Sequence, residues 1–577
     1  MNSFSAQQTD LPANIQAQVN LELDDWQKNN KVQKLWARDA GLWTDKDESR
    51  WLDWLDITSE QLENINELRR LLQFAEGKDF KHAVLIGMGG SSLAPDVLRE
   101  TFGVIKGFPN WLILDSTDPA QVKAVEDQID YQCTLFLVSS KSGSTLEPDI
   151  LKDYFFSRAV ESLGEKQAAN QFCVVTDPGS NLEKMARADN FRKIFYGKPC
   201  IGGRYSALSN FGIVPAAAMG LDVTRFLERA EQMKEACAAC VPAAENPGVV
   251  LGIILGVAAN ESCDKLTLVV SPAIKTLGAW LEQLIAESTG KLGKGIIPID
   301  GEVLGEPQVY GSDRIFAYLR LKDAVDQNQE SSIAKLKAAG FPVIQIDVDT
   351  TYDLAQEFFR WEVATAVACS VLGVNAFDQP DVEASKVATR KLTTEYETKG
   401  SLAEESPFME DENIKLFSDQ SNVKQLRELC IGEPSVTSII QAHIRRCGKG
   451  DYLALLAYLS RLDNAHHEHL QAIRQLVCEK LRVATCVGFG PRFLHSTGQA
   501  YKGGPNSGVF LQITCDDALD IAVPNHEYSF GIVKAAQARG DFEVLVNRQR
   551  RALRVHLGKD SAAGLMKLRK IVEQALS

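Results

Sequence analysis

The sequence predicts an α/β protein built on parallel sheets. Two α/β sandwich units are expected, flanked by a helical N-terminal segment and an α/β C-terminal segment. Three observations carry this expectation. Short apolar runs end in polar or glycine-rich turns and alternate with helical periodicities. The alternation starts near residue 77 and begins again near 248. A chain of 577 residues also exceeds what one hydrophobic core can hold. The boundaries read as 1–76, 77–240, 241–410 and 411–577.

Residues 11–76 read as helices, with Trp26, Trp36, Trp43, Trp51 and Trp54 spaced for packing and Leu62, Ile65, Leu68, Leu71 and Leu72 forming an amphipathic stripe. The start, MNSFSAQQTD, is polar and expected to be frayed. Strands follow at 83–86, 111–115, 134–140 and 172–177. The first breaks into Gly87, Gly89 and Gly90, then Ser91 and Ser92, before a helix near Pro95. Backbone N–H groups between a strand end and a helix N-terminus suit an anion such as a phosphate. The spacing is neither a dinucleotide fingerprint nor a Walker loop, because Ser92 stands at the third glycine position and no Gly-Lys-Ser/Thr follows. The third strand runs into Ser139-Ser140-Lys141-Ser142-Gly143-Ser144-Thr145, a second anion-binding turn. Arg204 is framed by Gly202 and Gly203 ahead of an apolar helix at 211–221.

In the second unit, strands are expected at 266–272, 295–300, 314–321 and 341–349, with a helix through Gly278 to Glu287. It weakly mirrors the first unit, as a duplication would. Residues 378–420 read as a polar connection with a lid or arm. The last segment offers strands at 481–490 and 509–515 around a glycine-rich loop at 497–508. His466, His467 and His469 read as a solvated helix face in preference to a metal site. Cys237 and Cys240 form a lone CxxC and read as core packing.

Net charge −14 argues against nucleic acid or an anionic membrane as the main partner, and leaves room for an anionic small substrate. There is no run apolar enough to span a bilayer and no basic-plus-apolar leader, so a cytoplasmic setting is expected. The twelve cysteines are scattered through apolar runs, as in reduced proteins. No cofactor or metal is expected.

Taken in order, GMGGSSLAP, SSKSGSTLEP, IGGRYS, ESTGK and GEPQVYGSDR resemble the glucose-6-phosphate isomerase family. With HSTGQAYKGG and PNHEYSFG, the chain is most similar to the isomerase half of fused transaldolase/glucose-6-phosphate isomerase proteins. The resemblance implies paired sugar-isomerase (SIS) domains, a homodimer and a sugar-phosphate substrate. It places Gly90 and Ser91 beside the substrate, Ser140, Ser142 and Thr145 on the phosphate with Lys141 alongside, and Glu147 as a structural acid. Arg204 would stand at the C1 and C2 oxygens, Gln283 and the base Glu287 one helical turn apart, and Lys502 at a catalytic lysine. The family's ring-opening histidine after its GEP motif has no counterpart after Gly305-Glu306-Pro307. His495, which stands where a glutamine is usual, His526, or Asp313 with Arg314 could replace it.

The implied reaction interconverts glucose 6-phosphate and fructose 6-phosphate through an enediolate. It needs a phosphate grip, an acid–base pair for ring opening, a carboxylate carrying a proton between C2 and C1, and a cation for the oxyanion. Two alternatives stay open: a dual-specificity phosphoglucose/phosphomannose isomerase, and a non-catalytic SIS protein that binds a sugar phosphate to regulate a partner.

Overall fold

A computed structural model describes residues 6–76 and 80–577. Its strands form three sheets, each with a parallel core. The first runs in the order Asn110–Leu114, His82–Gly87, Thr134–Ser139, Phe172–Thr176, Lys193–Tyr196, all parallel. The second runs Ile297–Ile299, Lys265–Val270, Arg314–Leu321, Val343–Val348. The third runs Ala484–Phe489, Tyr452–Tyr458, Gly508–Thr514, Arg551–His556. Counted along the chain among their parallel strands, all three sheets contain the order 2-1-3-4; the first adds a fifth parallel strand, and in the third Lys415–Phe417 and Met409–Glu410 extend the Arg551–His556 edge antiparallel.

The central strands are apolar on both faces because helices cover both. Ala83 to Ile86 and Tyr452 to Tyr458 are buried throughout, the pattern parallel sheets require. Each large side chain so buried contributes ~1.5–3 kcal/mol. The sequence reading missed the strand Tyr452–Tyr458.

Three other expectations change. Gln7–Asp10 is not frayed: it pairs antiparallel with Val343–Val348 and closes the edge of the second sheet. Residues 380–399 form a 20-residue helix, Pro380–Lys399, packed on the helix Phe530–Asn547 where Gly540 lets Thr389 approach. The glycine-rich loop contains a helix, Gly498–Gly503.

The N-terminal helices dock through their tryptophans. Trp26 and Trp54 are fully buried, and Trp43 donates from Nε1 to the Ala366 carbonyl at 2.8 Å. Trp36 does the same to Cys237 at 2.8 Å. Cys237 is buried, as expected, but Cys240 is exposed. His466 is also buried, not solvated, and links the Ser460 carbonyl to the Ser561 hydroxyl. Among the described residues no helix is long and apolar enough to cross a membrane.

The helices Pro247–Asn260 and Leu354–Leu372 cross at glycines. A Cβ on Gly252 would lie 2.3 Å from the Ala364 carbonyl oxygen and 2.6 Å from Val367 Cβ. Gly252→Ala is therefore expected to cost ~1–3 kcal/mol, despite alanine's better helix propensity. Urea unfolding measures this; an unchanged or raised midpoint would show that the helices are not so closely packed.

Candidate functional site

The first unit opens at the carboxyl ends of its strands into a cleft of about 890 Å3. Both predicted anion turns reach it, but they do different things. The glycine turn is a close-packing device. Gly89 has φ +55°, and a Cβ there would meet Gln283 Nε2 at 2.8 Å and the His495 carbonyl at 3.0 Å. At Gly90 a Cβ would lie 2.0 Å from the Gly203 carbonyl. These glycines bring the Arg204 turn and the His495 segment against the sheet, with Gly90 and Ser91 lining the cleft.

The serine turn is the better anion site. Ser140 is buried with its hydroxyl unpartnered, Ser142 and Thr145 line the cleft, and Thr145 begins the 18-residue helix Leu146–Leu163 without capping it. That helix presents its positive end to the same space. Lys141 lines the cleft alongside them as expected, but its ammonium is engaged elsewhere. Its ammonium pairs with Asp177 and donates to the carbonyls of Lys198 at 3.1 Å and Pro199 at 3.2 Å, which uses all three donors.

Gln283 and Glu287 share one face of the helix Leu277–Thr289. Gln283 Nε2 donates to Glu287 Oε2 at 3.1 Å and to the His495 carbonyl at 2.7 Å. Glu287 Oε1 lies 3.3 Å from Arg204 Nη1. The Arg204 guanidinium is nearly enclosed and fully engaged: Nε with Ser288 Oγ, Nη1 with Gln379 Oε1, and Nη2 with the carbonyls of Ala376 and Asp378, at 2.7–3.0 Å. It orients Glu287 and supplies charge, and it has no spare N–H pointing at a sugar oxygen as the sequence reading required. Lys291, just past the helix, is brought down to about 8 by burial and by the nearby Arg204, while Asp378 opposes.

His495 is brought into the cleft. Its Nε2 lies 2.8 Å from Glu147 Oε1, which also accepts from Gln537 Nε2 at 2.6 Å. Thr117 in turn donates to Gln537 Oε1 at 2.7 Å. Burial alone would raise Glu147, but the charge and hydrogen bond of His495 outweigh it and hold the carboxyl below its ordinary value.

Lys502 is not brought to this cleft. Its ammonium is buried against Asp541 at 2.5 Å, beside a separate cavity at Lys291 and Arg550. The expected placement of Lys502 among the catalytic groups is corrected accordingly. His526 pairs with Glu397 at 2.6 Å outside the cleft, and Arg314 pairs with Glu302 in the interior. Neither they nor Asp313 lines the cleft.

Sequence reasoning missed Gln537, Thr117 and the wall formed by Pro380–Lys399, which presents Ser385 and Lys386 to the cleft. A signal existed for Gln537. It stands seven residues after Phe530 on the buried stripe of an apolar helix, where a polar side chain needs a partner. Among the described residues no group of three or more His, Cys, Asp and Glu side chains is placed to hold a metal.

A model of the family described as phosphoglucose isomerase matches residues 63–304. A probable glucose-6-phosphate isomerase of Methanococcus maripaludis is 26% identical over 381 residues, covering 59% of this chain and 84% of the relative. The glucose-6-phosphate isomerase of Rubrobacter xylanophilus is 29% identical over 387 residues, covering 58% and 87%. Over residues 63–304 the chain is similar to phosphoglucose isomerases. Among solved structures, a hypothetical protein from Thermus thermophilus matches with a TM-score of 0.58 and 25% identity, covering 67% of this chain and 99% of that one. A glucose-6-phosphate isomerase from Chlamydia trachomatis shares the fold with a TM-score of 0.52 at 21% identity, covering 64% and 78%.

The pair Glu147–His495 has a measurable signature. Because the folded carboxyl is depressed, its stabilising effect is complete above the ordinary value of 4.5 and is lost as pH falls below it. Urea midpoints of the wild type should therefore fall more steeply below pH 4.5 than those of Glu147→Gln. Parallel acid limbs would show that no charged pair is present.

Proposed function

We propose that the protein interconverts glucose 6-phosphate and fructose 6-phosphate, with Glu287 as the base. The observation that carries this reading is the joint placement, in one cleft, of an anion turn, a glutamine-oriented carboxylate beside a buried guanidinium, and a carboxylate–imidazole pair. The match of residues 63–304 to the phosphoglucose isomerase model and the similarity to relatives named glucose-6-phosphate isomerase support the same reaction.

Ser140, Ser142, Thr145 and the start of Leu146–Leu163 hold the phosphate. His495, with its orientation fixed by Glu147, opens the ring by exchanging a proton with the ring oxygen. Glu287 removes the C2 proton of the aldose and returns it to C1. Gln283 and Arg204 hold the two Glu287 oxygens, and the buried Arg204 charge offsets the negative charge of the enediolate. Gly90 and Ser91 border the sugar.

The dimer implied by the resemblance belongs to this proposal and is read by sedimentation. The cytosolic setting belongs to it too, and twelve free cysteines fit a reducing compartment.

The test is a coupled assay: fructose 6-phosphate is supplied and glucose 6-phosphate followed through its dehydrogenase. Wild type should turn over, and Glu287→Gln should lose ~10²–10⁴-fold in kcat with little change in KM. Activity that survives the substitution would remove Glu287 as the base. An absence of wild-type turnover in a folded protein that still binds the sugar phosphate would favour the regulatory alternative. Mannose 6-phosphate, run in parallel, reads epimer specificity.

A further inference from the structure

A second cavity, of about 730 Å3, lies against a face of the helix Leu277–Thr289 adjacent to the one that lines the cleft. Ala279 and Glu282 line the cavity, whereas Gln283 and Glu287 of the same helix line the cleft. The segment 492–496 divides in the same way: Arg492, Phe493 and Ser496 face the cavity, Leu494 and His495 the cleft. Two walls are thus common to both spaces.

The repeated strand order explains where this cavity sits. The cleft opens at the carboxyl ends of the first unit's first and third strands, His82–Gly87 and Thr134–Ser139. The corresponding strands of the second unit are Lys265–Val270 and Arg314–Leu321. Lys275 and Thr276 follow the first of these, Asp326 and Gln329 follow the other, and all four line the cavity. The third unit adds Arg461, which follows its own first strand, Tyr452–Tyr458. Carboxyl ends of adjacent parallel strands are where open α/β sheets take ligands.

The charges favour an anion. The lining acids Asp96, Glu100 and Glu302 are paired with Arg99 and Arg492, with Arg99, and with Arg314 respectively. Asp326 caps the helix Gln327–Ala338. Lys275 is exposed and forms no ion pair among the described residues. Arg461 reaches a carboxylate only at 3.4 Å, and burial and the adjacent Arg492 pull its pKa down, the mark of a guanidinium short of counter-charge. The N-termini of Leu277–Thr289 and Gln327–Ala338 add to the positive field. Glu282 and Asp300, neither of them ion-paired among the described residues, are pushed up by burial to about 8 and about 6, with Asp300's charge adding to the rise of Glu282. Near neutrality the Glu282 carboxyl can therefore donate to a hydroxyl as well as accept from one, and Asp300 can accept.

We propose that the second cavity binds a small organic phosphate bearing hydroxyl groups, and that its occupancy is felt at the cleft through the shared helix and the segment 492–496. Lys275 and Arg461 hold the phosphate, and Glu282 and Asp300 meet the hydroxyls. The binding site itself does not depend on what the cleft catalyses.

Calorimetric titration of the full chain with glycerol 3-phosphate tests it. Wild type should show two sites per chain. Lys275→Glu should weaken one of them at least tenfold and leave the other, and Ser142→Ala/Thr145→Ala should do the reverse. Arg461→Gln should behave as Lys275→Glu does; the exposed Lys275 keeps the test informative if Arg461→Gln fails to fold. In the coupled assay, glycerol 3-phosphate should have a component that is not competitive with fructose 6-phosphate, and Lys275→Glu should lose it. A single site abolished by the serine-turn variant and untouched by Lys275→Glu would overturn the proposal, as would purely competitive inhibition. Two sites without isomerase turnover would count against the cleft reading alone, and turnover with one site against this one alone.

Discussion

The architecture of the cleft depends on one buried guanidinium. Arg204 leaves the first unit at a turn and enters the space between the helix Leu277–Thr289 and the start of Pro380–Lys399. There it bonds to Ser288, to Gln379 and to the carbonyls of Ala376 and Asp378. A charge so deeply placed is tolerable only when every donor is satisfied. Satisfying them fixes three separate stretches of chain against one another and leaves Glu287 at the edge of the knot, 3.3 Å away. Glu287, the proposed base, is therefore held by the same interaction that joins the units.

The close approach this requires explains the glycines. Arg204 can stand where it does because its turn passes directly over Gly90, and His495 can reach Gln283 because Gly89 has no side chain. The turn that looks like a phosphate loop is chiefly a place where backbone meets backbone. The proposed anion site is instead the serine turn and the helix behind it, where hydroxyls are left unpaired and the helix start is uncapped.

Much of this was legible from residue patterns, because it is local. Strand ends and the serine turn each follow from a few consecutive residues, and the i, i+4 pair Gln283 and Glu287 was singled out through the ordered set of motifs that carries the resemblance. What failed was long-range. Lys141 and Lys502 look free in a polar turn and a glycine-rich stretch, yet each is consumed by an acid 36 and 39 positions later, Asp177 and Asp541. Nothing nearby announces those partners. Residues 380–399 looked like a connection because their charged outer face outweighs a narrow buried face of Ser385, Thr389 and Thr393. The third sheet's kinship with the other two was hidden because its central strand was missed and Arg551–His556 carries arginines and a histidine.

The central claim is proton transfer by Glu287 within a single sugar phosphate, and isotope exchange tests it most directly. Fructose 6-phosphate would be incubated with the protein in D2O, and deuterium at C2 of the glucose 6-phosphate formed would be followed by NMR. A carboxylate base that exchanges its proton with solvent predicts deuterium at C2, with exchange at C1 of recovered fructose 6-phosphate, and both losses in Glu287→Gln while the phosphate still binds. Incorporation or conversion that persists undiminished in Glu287→Gln would contradict the account.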